Sequence, residues 1–345
     1  MKIRALLQPN IVLPLLVGVT GNATLAMEQS VGTFTGTGSL TTIQEFPRAT
    51  LLSNGKVLIT GYGAEIYDPS SGIFSDAGNT EVWSGQSSTR LADGRVLIAG
   101  GNSGNLLLTT AELYDPDTGT FTPTGNMTTG RAGHKAILLT TGKVLFVGGE
   151  AVYDTLPSDI TTEVYDPDSG RFTATGSYAG AGLAGTATLL ADGKVLVTSY
   201  YDGLAGVYDP ATGAFSPAGS TFPATSAILL ANGQVLFTGG IDDNGPSSCA
   251  ALYAPATGTF SATGSMTSAR VDHSATLLSD GTVLIAGGQI SGVCVVAVKF
   301  SATRTVFPSF AFRTKARTFL SDSSTNAKSP SRKAVFVLRG RISIL

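Results

Sequence analysis

The sequence predicts an all-β protein assembled from repeated four-stranded units. Glycine supplies 43 of the 345 residues, about twice its usual share in soluble proteins, which is typical of a chain with many tight turns. Val, Leu, Ile and Thr are abundant, and most of these residues favour strands. Beyond the first twenty positions, apolar residues almost nowhere recur at helical spacing.

Six glycines define the repeat, because each is followed at once by a short apolar strand. They are Gly55, Gly94, Gly142, Gly193, Gly233 and Gly281. Their spacing of roughly 40 to 50 residues is the period of the blades of a β-propeller, in which four-stranded sheets surround a central channel. We therefore expect six blades, with seven as the alternative.

Each repeat is predicted to contain four strands, a to d. An Asp-Gly or Asn-Gly pair after strand a is expected to form a two-residue hairpin turn. Strand b, as in residues 143–147, is apolar on both faces and is closed by a Gly-Gly pair. The structural glycines predicted in repeats 2 and 3 are Gly94, Gly100, Gly101, Gly142, Gly148 and Gly149.

Strand c ends at a tyrosine that opens a second turn. Structural roles are predicted for Tyr165 of repeat 3 and for Tyr114, Asp115 and Pro116 of repeat 2. Proline presets the backbone of the second turn position, and the glycine that follows adopts a left-handed conformation at no steric cost. Strand d carries an aromatic residue such as Phe121, which we expect to pack between blades.

Together these motifs resemble the kelch repeat, a type also found in the propeller of galactose oxidase. The tight a–b turn, Gly-Gly, Tyr-Asp-Pro and Thr-Gly-x-Phe carry the resemblance over about residues 32–300. An Arg-x-x-His before strand a matches as well, at Arg131/His134 and Arg270/His273. The resemblance implies a kelch-type β-propeller of four-stranded antiparallel blades, of the secreted bacterial type, over residues 27–310.

The ends of the chain depart from the repeat. Residues 1–26 have the basic start, apolar stretch and small residues of a secretory signal peptide, which predicts a secreted, periplasmic or cell-surface protein without a membrane span. Residues 32–38 resemble a strand d without strands a to c, and are predicted to close the last blade. Residues 311–345 form a basic tail that is either a degenerate or truncated blade or an arm for polyanions.

Loop lengths predict which face binds ligands. The a–b and c–d turns are short and uniform, whereas the b–c and d–a connections vary, and variable loops on a rigid scaffold are where binding is usually found. Tyr62 and Tyr200 replace the second glycine of Gly-Gly in repeats 1 and 4. They are predicted to line a groove on the variable face, or alternatively to plug the channel mouth.

The Arg-x-x-His positions supply further candidates. The resemblance implies that Arg131 and Arg270 hold an acidic ligand group, with Trp83 as an aromatic neighbour at the same repeat position. The alternative is a structural hydrogen bond from each arginine to the carbonyls of a neighbouring blade. His134 and His273 are predicted to be structural, inside strand a, where they satisfy buried backbone groups.

Composition limits the chemistry. A galactose-oxidase-type copper site needs two neighbouring histidines, but the only two histidines fall in repeats 3 and 6, so neither a metal, a cofactor nor copper-oxidase activity is expected. A net charge of −2 does not favour nucleic acid. We predict a monomeric binding module for a protein or polysaccharide ligand. The alternative is an epimerase- or lyase-like carbohydrate-active enzyme that uses Arg, Tyr and an acid such as Asp272.

Two smaller features stay open in the sequence. Cys249 and Cys294 precede the same strand in adjacent repeats and either pair as a disulfide or remain free thiols. The acidic loop at residues 242–245 is interpreted as a solvated loop or, less well, as a calcium loop.

Overall fold

The computed structural model describes residues 37–42, 47–78, 80, 84–149, 159–180, 183–242, 245–290, 293–294 and 298–301. These residues lie in one compact unit, Met1–Ala302. The predicted signal peptide, residues 32–36 of the predicted closing strand, and the tail at residues 311–345 lie outside them. Within the described part of the chain, every helix or strand element is a β-strand, which confirms the predicted all-β class.

The main strands form antiparallel sheets in chain order, five with four strands and one with three. Sheet 1 contains β1 (Arg48–Leu51), β2 (Val57–Thr60), β3 (Ala64–Asp68) and β4 (Ile73–Asp76). Sheet 2 contains β5 (Ser87–Arg90), β6 (Val96–Ala99), β9 (Ala111–Asp115) and β10 (Thr120–Pro123), with a ribbon of β7 (Asn102–Ser103) and β8 (Leu106–Leu107) between β6 and β9. Sheet 3 contains β11 (Lys135–Leu138), β12 (Val144–Val147), β14 (Thr162–Asp166) and β15 (Arg171–Ala174). A separate pair joins β13 (Asp159–Ile160) to β16 (Tyr178–Ala179).

The second half of the unit repeats this pattern. Sheet 4 contains β17 (Ala184–Leu189), β18 (Val195–Ser199), β19 (Leu204–Asp209) and β20 (Ala214–Ser220). Sheet 5 contains β21 (Ser226–Leu229), β22 (Val235–Thr238), β25 (Ala250–Ala254) and β26 (Thr259–Ala262), with a ribbon of β23 (Ile241–Asp242) and β24 (Gly245–Pro246). Sheet 6 contains β27 (Ser274–Leu277), β28 (Thr282–Ala286) and β31 (Val298–Ser301), with a ribbon of β29 (Gln289–Ile290) and β30 (Val293–Cys294). These sheets match the predicted strands a to d of kelch-type blades.

The core lies between consecutive sheets. Every residue of β6, β12 and β22 is buried, as expected for strands covered on both faces. Between sheets 1 and 2, Phe121 packs against a cluster that includes Leu58 and Val96. Its ring also lies 4.8 Å from that of Tyr114. This confirms the predicted role of the strand-d aromatic residue.

The a–b turns differ from the predicted two-residue hairpin. Leu52 N donates to the carbonyl oxygen of Lys56, which leaves a three-residue loop between them. Only the glycine of that loop is left-handed, with φ of 81° at Gly55, and Asn54 Oδ1 accepts from the Lys56 amide. The prediction of two residues is wrong because the Asx side chain satisfies the loop amide, so that one left-handed glycine suffices to close the turn.

The predicted Gly-Gly and c–d turn positions do require glycine. Gly148 and Gly149 have φ of 66° and 84°, and Gly119 has φ of 70°. A Cβ on Gly149 would lie 2.6 Å from Cβ of His134. At that position backbone conformation and close approach both exclude a side chain.

The first strands of the sheets lie side by side in chain order. β1 packs against β5, β5 against β11, β11 against β17, β17 against β21, and β21 against β27. Within the described residues, β27 does not pack against β1 to a comparable extent. The first strands thus form the inner edge of the unit, and the b–c and d–a connections all meet at the end where these strands begin.

Candidate functional site: the inner rim

A buried ion pair ties the loop before sheet 3 to the third strand of that sheet. The Arg131 side chain is 1% exposed, and its Nε donates to Oε1 of Glu163 at 2.6 Å. Its Nη1 donates to the carbonyl oxygen of Gly148 at 2.8 Å, and its Nη2 donates to Oγ1 of Thr161 at 2.9 Å. These contacts support the structural alternative for Arg131, although the partners lie in its own sheet rather than in a neighbouring one.

Glu163 also holds the chain that arrives from sheet 2. Its Oε2 accepts from the amide and the hydroxyl of Thr128, at 2.7 and 2.9 Å. Glu65 does the same in sheet 1, accepting from the amides of Thr41 and Thr42 at 2.9 and 3.0 Å. Burial by itself raises the pKa of Glu65, but the hydrogen bonds from these threonines outweigh it and lower the pKa below its usual value.

The buried glutamates are residues that sequence reasoning missed. In sheet 2, Glu112 accepts from Oγ1 of Thr80 at 2.6 Å, so three repeats share a buried glutamate that accepts hydrogen bonds from a threonine. The available signal was a glutamate two residues before the strand-c tyrosine, at Glu65, Glu112 and Glu163. A repeated acid inside an otherwise apolar strand indicates a satisfied buried carboxylate.

Arg270 repeats part of the arrangement of Arg131 in sheet 6. Its side chain is fully buried, and Nη1 donates to the carbonyl oxygen of Gly287 at 2.9 Å. Arg131 and Arg270 therefore lie in different sheets, each buried against the backbone of its own sheet. Ligand binding by either arginine stays a prediction that this placement does not favour.

The two histidines connect neighbouring sheets. They stand one residue before β11 and β27 rather than inside them. Their Nε2 atoms lie near side-chain hydroxyls: His134 Nε2 lies 2.9 Å from Ser87 Oγ, and His273 Nε2 lies 2.8 Å from Thr238 Oγ1. Each partner belongs to the preceding sheet, so each histidine joins two neighbouring sheets, and the predicted role towards backbone groups stays a prediction.

Burial explains the acid–base behaviour of these histidines. Desolvation, with smaller effects of nearby cations including Arg131, lowers the pKa of His134 to about 3. Desolvation and Arg270 lower the pKa of His273 to about 4, although Asp272 opposes the change. Both imidazoles are therefore neutral at physiological pH and suited to hydrogen bonding.

Tyr62 and Tyr200 lie on the face of the variable loops. Tyr62 is 51% exposed, and the half-buried Tyr200 ring meets that of Tyr201 edge-on at 5.1 Å. Neither tyrosine has positive φ, because the b–c connections of sheets 1 and 4 are short and follow a different path. Lining of a groove and plugging of a channel both stay predictions, and Trp83 lies outside the described residues.

Two cations missed by sequence reasoning stand at the starts of inner strands, in sheets 1 and 3. Arg48 is the first residue of β1, and Lys135 is the first residue of β11. Between them lies β5, and Arg48 Nε donates at 3.2 Å to the carbonyl oxygen of Gln86, the residue that precedes β5. In the other four sheets this first-strand position holds a serine or threonine: Ser87, Thr186, Ser226 and Ser274.

Asp272 and Tyr200 complete this group, which we call the inner-rim cluster (Arg48, Lys135, Tyr200 and Asp272). Burial and the Arg48 guanidinium lower the pKa of Lys135, whereas the Asp272 carboxylate raises it. Burial, with a further effect of Asp272, raises the pKa of Tyr200. Groups from sheets 1, 3, 4 and 6 thus act on one another at one end of the inner strands.

Asp272 is held in an unusual backbone conformation. Its φ is 56°, and among the described residues it alone has a positive φ without being glycine. The equivalent positions before β5 and β11 are Gly85 and Gly133, with φ of 80° and 68°. The loop requires a left-handed residue at this position, and an aspartate in that conformation costs of order 1 kcal/mol. The aspartate side chain is therefore expected to have a role that glycine cannot fill.

Across the described ranges, no group of three or more His, Cys, Asp or Glu side chains is placed to hold a metal ion. The two histidines are separately engaged, so this donor set does not fit a copper ion. Cys249 is exposed, and the Cys294 side chain lies outside the description. No helix in the described part is long and apolar enough to cross a membrane.

Comparisons with known proteins agree with the repeat. The matching family model is the Kelch motif, over residues 87–128, which spans all strands of sheet 2 and the first residues after β10. This confirms the resemblance. Among solved structures, the chain is similar to a fungal alcohol oxidase of the AA5 family in complex with copper, at 19% identity and a TM-score of 0.43, covering 71% of this chain and 70% of that chain. No curated protein matches the chain.

Proposed function

We propose that this kelch-repeat chain is a secreted, monomeric binding module whose ligand, a protein or a polysaccharide, contacts the face formed by the b–c and d–a connections. The observation that carries the proposal is the inner-rim cluster. It gathers charged and aromatic groups from four sheets at the end where the variable loops meet. The opposite end has uniform turns closed by glycine and Asx hydrogen bonds.

The composition of the cluster favours binding. Lys135 is half-buried, and among the described residues it has no ion-pair or hydrogen-bond partner. A desolvated, unpaired cation costs stability. Perturbed ionisable groups of this kind are found preferentially at functional sites. The exposed rings of Tyr62 and Tyr201 on the same face add surfaces for sugar rings or peptide side chains.

A thermal-shift panel of neutral and acidic polysaccharide fragments and peptides tests the proposal. A ligand that binds the native state raises the melting temperature by mass action. We expect a shift that the double variant Tyr62→Ala/Tyr200→Ala abolishes. Ile73→Ala is the control, because Ile73 is an exposed apolar residue beside a c–d turn. A shift that survives the tyrosine variant and disappears in the control would contradict the proposal.

We also propose that the sheets close as a six-bladed propeller with an N-terminal strand in the last blade. One observation supports this arrangement. The Gly38 amide donates to the carbonyl oxygen of Gly72, as Gly125 does to that of Gly170 after strand d of sheet 2.

Seven blades are the alternative, favoured by the limited packing of β27 on β1. Deletion of residues 311–345 distinguishes a propeller of six blades from one of seven. A six-bladed ring keeps its melting temperature after the deletion, whereas a seventh blade that uses the tail is lost and the melting temperature falls by several degrees.

A carbohydrate-active enzyme is the second candidate, because the Asp272 carboxylate acts on both Tyr200 and Lys135 at the end where the variable loops meet. An acid, a phenol and two cations at one rim are suited to proton transfer at a sugar carbon. Its test is the appearance of epimerised or unsaturated sugars after incubation with polysaccharides. If the polysaccharides bind without turnover, this candidate is excluded for them.

A further inference from the structure

We propose that two neighbouring cavities at the end of the variable loops bind an extended, basic segment of a protein partner. The larger cavity takes an aromatic side chain of that segment and the smaller takes an aliphatic one. This inference rests on the proposed function, since it chooses a protein rather than a polysaccharide as the ligand of the same face.

The two cavities occupy equivalent places in consecutive repeats. The first, of about 480 Å³, lies between the d–a connection that follows sheet 3 and the outer strands of sheet 4. The second, of about 290 Å³, lies between the d–a connection that follows sheet 4 and the outer strands of sheet 5. The connections contribute Tyr178 and Phe222, and strand d contributes Phe215 and Phe260.

Loss of the buried glutamate accompanies both cavities. The strand-c position that holds glutamate in sheets 1 to 3 is Gly206 in sheet 4 and Ala251 in sheet 5. Neither residue has a side chain that could hold the incoming connection by hydrogen bonds. In sheet 4 the connection brings in an aromatic ring instead, and Tyr178 stacks on Phe215 with ring centroids 5.5 Å apart. These two joints therefore present apolar walls where the earlier joints have a polar network.

The chemistry of the walls disfavours a saccharide. Among the described residues that line the two cavities, none carries a charge and none is Asn or Gln. A pyranose ring buried here would have too few partners for its hydroxyl groups, which costs free energy. An apolar side chain has no such cost. The larger cavity falls in the range of about 300 to 1,000 Å³ found for ligand pockets, which admits an aromatic ring, and the smaller suits an aliphatic side chain.

The chain passes directly from one cavity to the other. Gly219 and Ser220 line the first cavity, and Thr221 and Phe222 line the second. The Thr221 amide donates to the carbonyl oxygen of Gly203 at 2.9 Å, which holds this shared wall in place. One extended segment can therefore place a side chain in each cavity, in the manner of the anchor residues of protein interfaces.

Two exposed carboxylates beside the first cavity determine the charge of the partner. Asp202 Oδ1 accepts at 3.0 Å from the amide of Leu204, a lining residue that is 39% exposed. Asp159 of β13 lies opposite Ala179 of β16, which also lines the cavity. Neither aspartate forms an ion pair with a described residue. Lysine or arginine beside the aromatic anchor would complement these charges.

The test uses labelled peptides in which phenylalanine and leucine are separated by one to four glycine or serine residues and are flanked by lysines. Fluorescence anisotropy with the full chain measures their affinity, and at least one spacing is expected to bind. Ser220→Trp and Ser265→Trp place a large ring in the first and the second cavity, and each is expected to weaken that peptide about tenfold or more.

Ser216→Trp is the matched control, because Ser216 is exposed on the same strand as Ser220 and lies outside both linings. It is expected to leave binding unchanged. A thermal melt of each variant shows that it is folded, and Leu204→Ala, which only shortens an exposed side chain, is expected to weaken the peptide about fivefold. Equal affinities in Ser216→Trp, Ser220→Trp and Leu204→Ala would overturn the inference.

Asp202→Asn tests the charge, because asparagine keeps the acceptor for the Leu204 amide. It is expected to weaken the lysine-flanked peptide about threefold, with a smaller salt dependence. Asp117→Asn, an exposed position in a c–d turn, is expected to have no effect. A glutamate-flanked version of the peptide that binds the native chain more tightly than the lysine-flanked one would overturn the assignment of a basic partner.

Failure of this inference is distinguishable from failure of the proposed function. If maltotriose or N-acetylphenylalaninamide displaces the peptide at concentrations similar to its own, the cavities take a saccharide or a free ring, and the inference is wrong. It is also wrong if no peptide binds. In either case the binding face stands if a ligand of the thermal-shift panel loses its effect in Tyr62→Ala/Tyr200→Ala. If neither the peptides nor any ligand of the panel binds, both proposals fail.

Discussion

The loops that lead into sheets 3 and 4 differ in the side chains at equivalent repeat positions, which are polar before sheet 3 and apolar before sheet 4. Before sheet 3, the ion pair of Arg131 and Glu163 and the imidazole of His134 are all buried, and we call this group of side chains the polar joint. The equivalent positions of repeat 4 are Gly182, Gly185 and Gly206. Three polar side chains have been replaced together by three glycines. The comparison shows two ways to fill this position, one with paired polar groups and one without them.

An aromatic ring takes the place of these polar side chains before sheet 4. Tyr178 stacks on Phe215 with ring centroids 5.5 Å apart, and a Cβ on Gly206 would lie 2.8 Å from Cδ2 of Tyr178. We call this arrangement the apolar joint. Beside it lies a cavity of about 480 Å³, whose lining includes Tyr178, Leu204, Phe215 and Pro217. The glycine at 206 is thus required by the ring that replaces the ion pair.

The largest predicted effect comes from breaking the polar joint. Arg131→Met leaves the carboxylate of Glu163 buried without its cation, and should lower the free energy of unfolding by about 3 to 5 kcal/mol. Urea unfolding monitored by fluorescence measures the loss.

The control for this change is Lys194→Gln, which breaks the exposed pair with Asp209 at 3.1 Å. Exposed pairs contribute about 1 kcal/mol or less. Equal losses in Arg131→Met and Lys194→Gln would show that the polar joint is no more than a surface ion pair.

Acid should weaken the polar joint more than the apolar joint, which has no histidine. The folded pKa of His134 is about 3, below the unfolded value of about 6.5. As pH falls below 6.5 the unfolded chain takes up the proton first, so stability falls as the pH approaches 3. At pH 5 this loss is about 2 kcal/mol for His134.

His134→Gln tests the cause, because Gln86 already makes the equivalent bond to Thr60 Oγ1 at 3.1 Å. The variant is expected to match the native chain at pH 7.5 and to lose less stability between pH 7 and 5. Parallel pH profiles for the two proteins would refute the role of this imidazole.

The smallest predicted effect concerns the apolar joint. Gly206→Ala should cost about 1 kcal/mol, because the Tyr178 ring must shift to admit a methyl group. In a Tyr178→Ala background the same change should cost nothing measurable, so a double-mutant cycle is expected to show coupling. Gly264→Ala, where a Cβ meets nothing within 4 Å, is the matched control. Additive effects in the cycle would mean that Tyr178 and Gly206 are not a matched pair.

Local sequence signals predicted the strands and most of the turns, because glycine and proline act through their own backbone. Gly119, Gly148 and Gly149 are left-handed as the sequence indicates. The predicted length of the a–b turn was wrong by one residue, because the side chain of Asn54 satisfies an amide that the prediction left to the backbone. The glutamates were missed, although a glutamate two residues before each strand-c tyrosine was readable in three repeats.

The inner-rim cluster could not be predicted in the same way. Arg48 and Lys135 are 87 positions apart in the numbering, and the position that they share holds serine or threonine in every other repeat. No repeat motif marks them, and their place at one end of the inner strands follows only from the side-by-side packing of β1, β5 and β11. Residues that break a repeat can be related to one another only after the repeats are arranged in space.

Hydrogen exchange of the full chain, with and without a saturating polysaccharide fragment or peptide that raises its melting temperature, tests the central claim most directly. If the ligand occupies the face of the variable loops, amides at residues 131–135, 200–204 and 270–274 will exchange more slowly in the complex. The a–b turns, such as residues 91–95, will be unchanged. Protection of the a–b and c–d turns, with none at the starts of β11 and β27, would place the ligand at the opposite end and contradict the account.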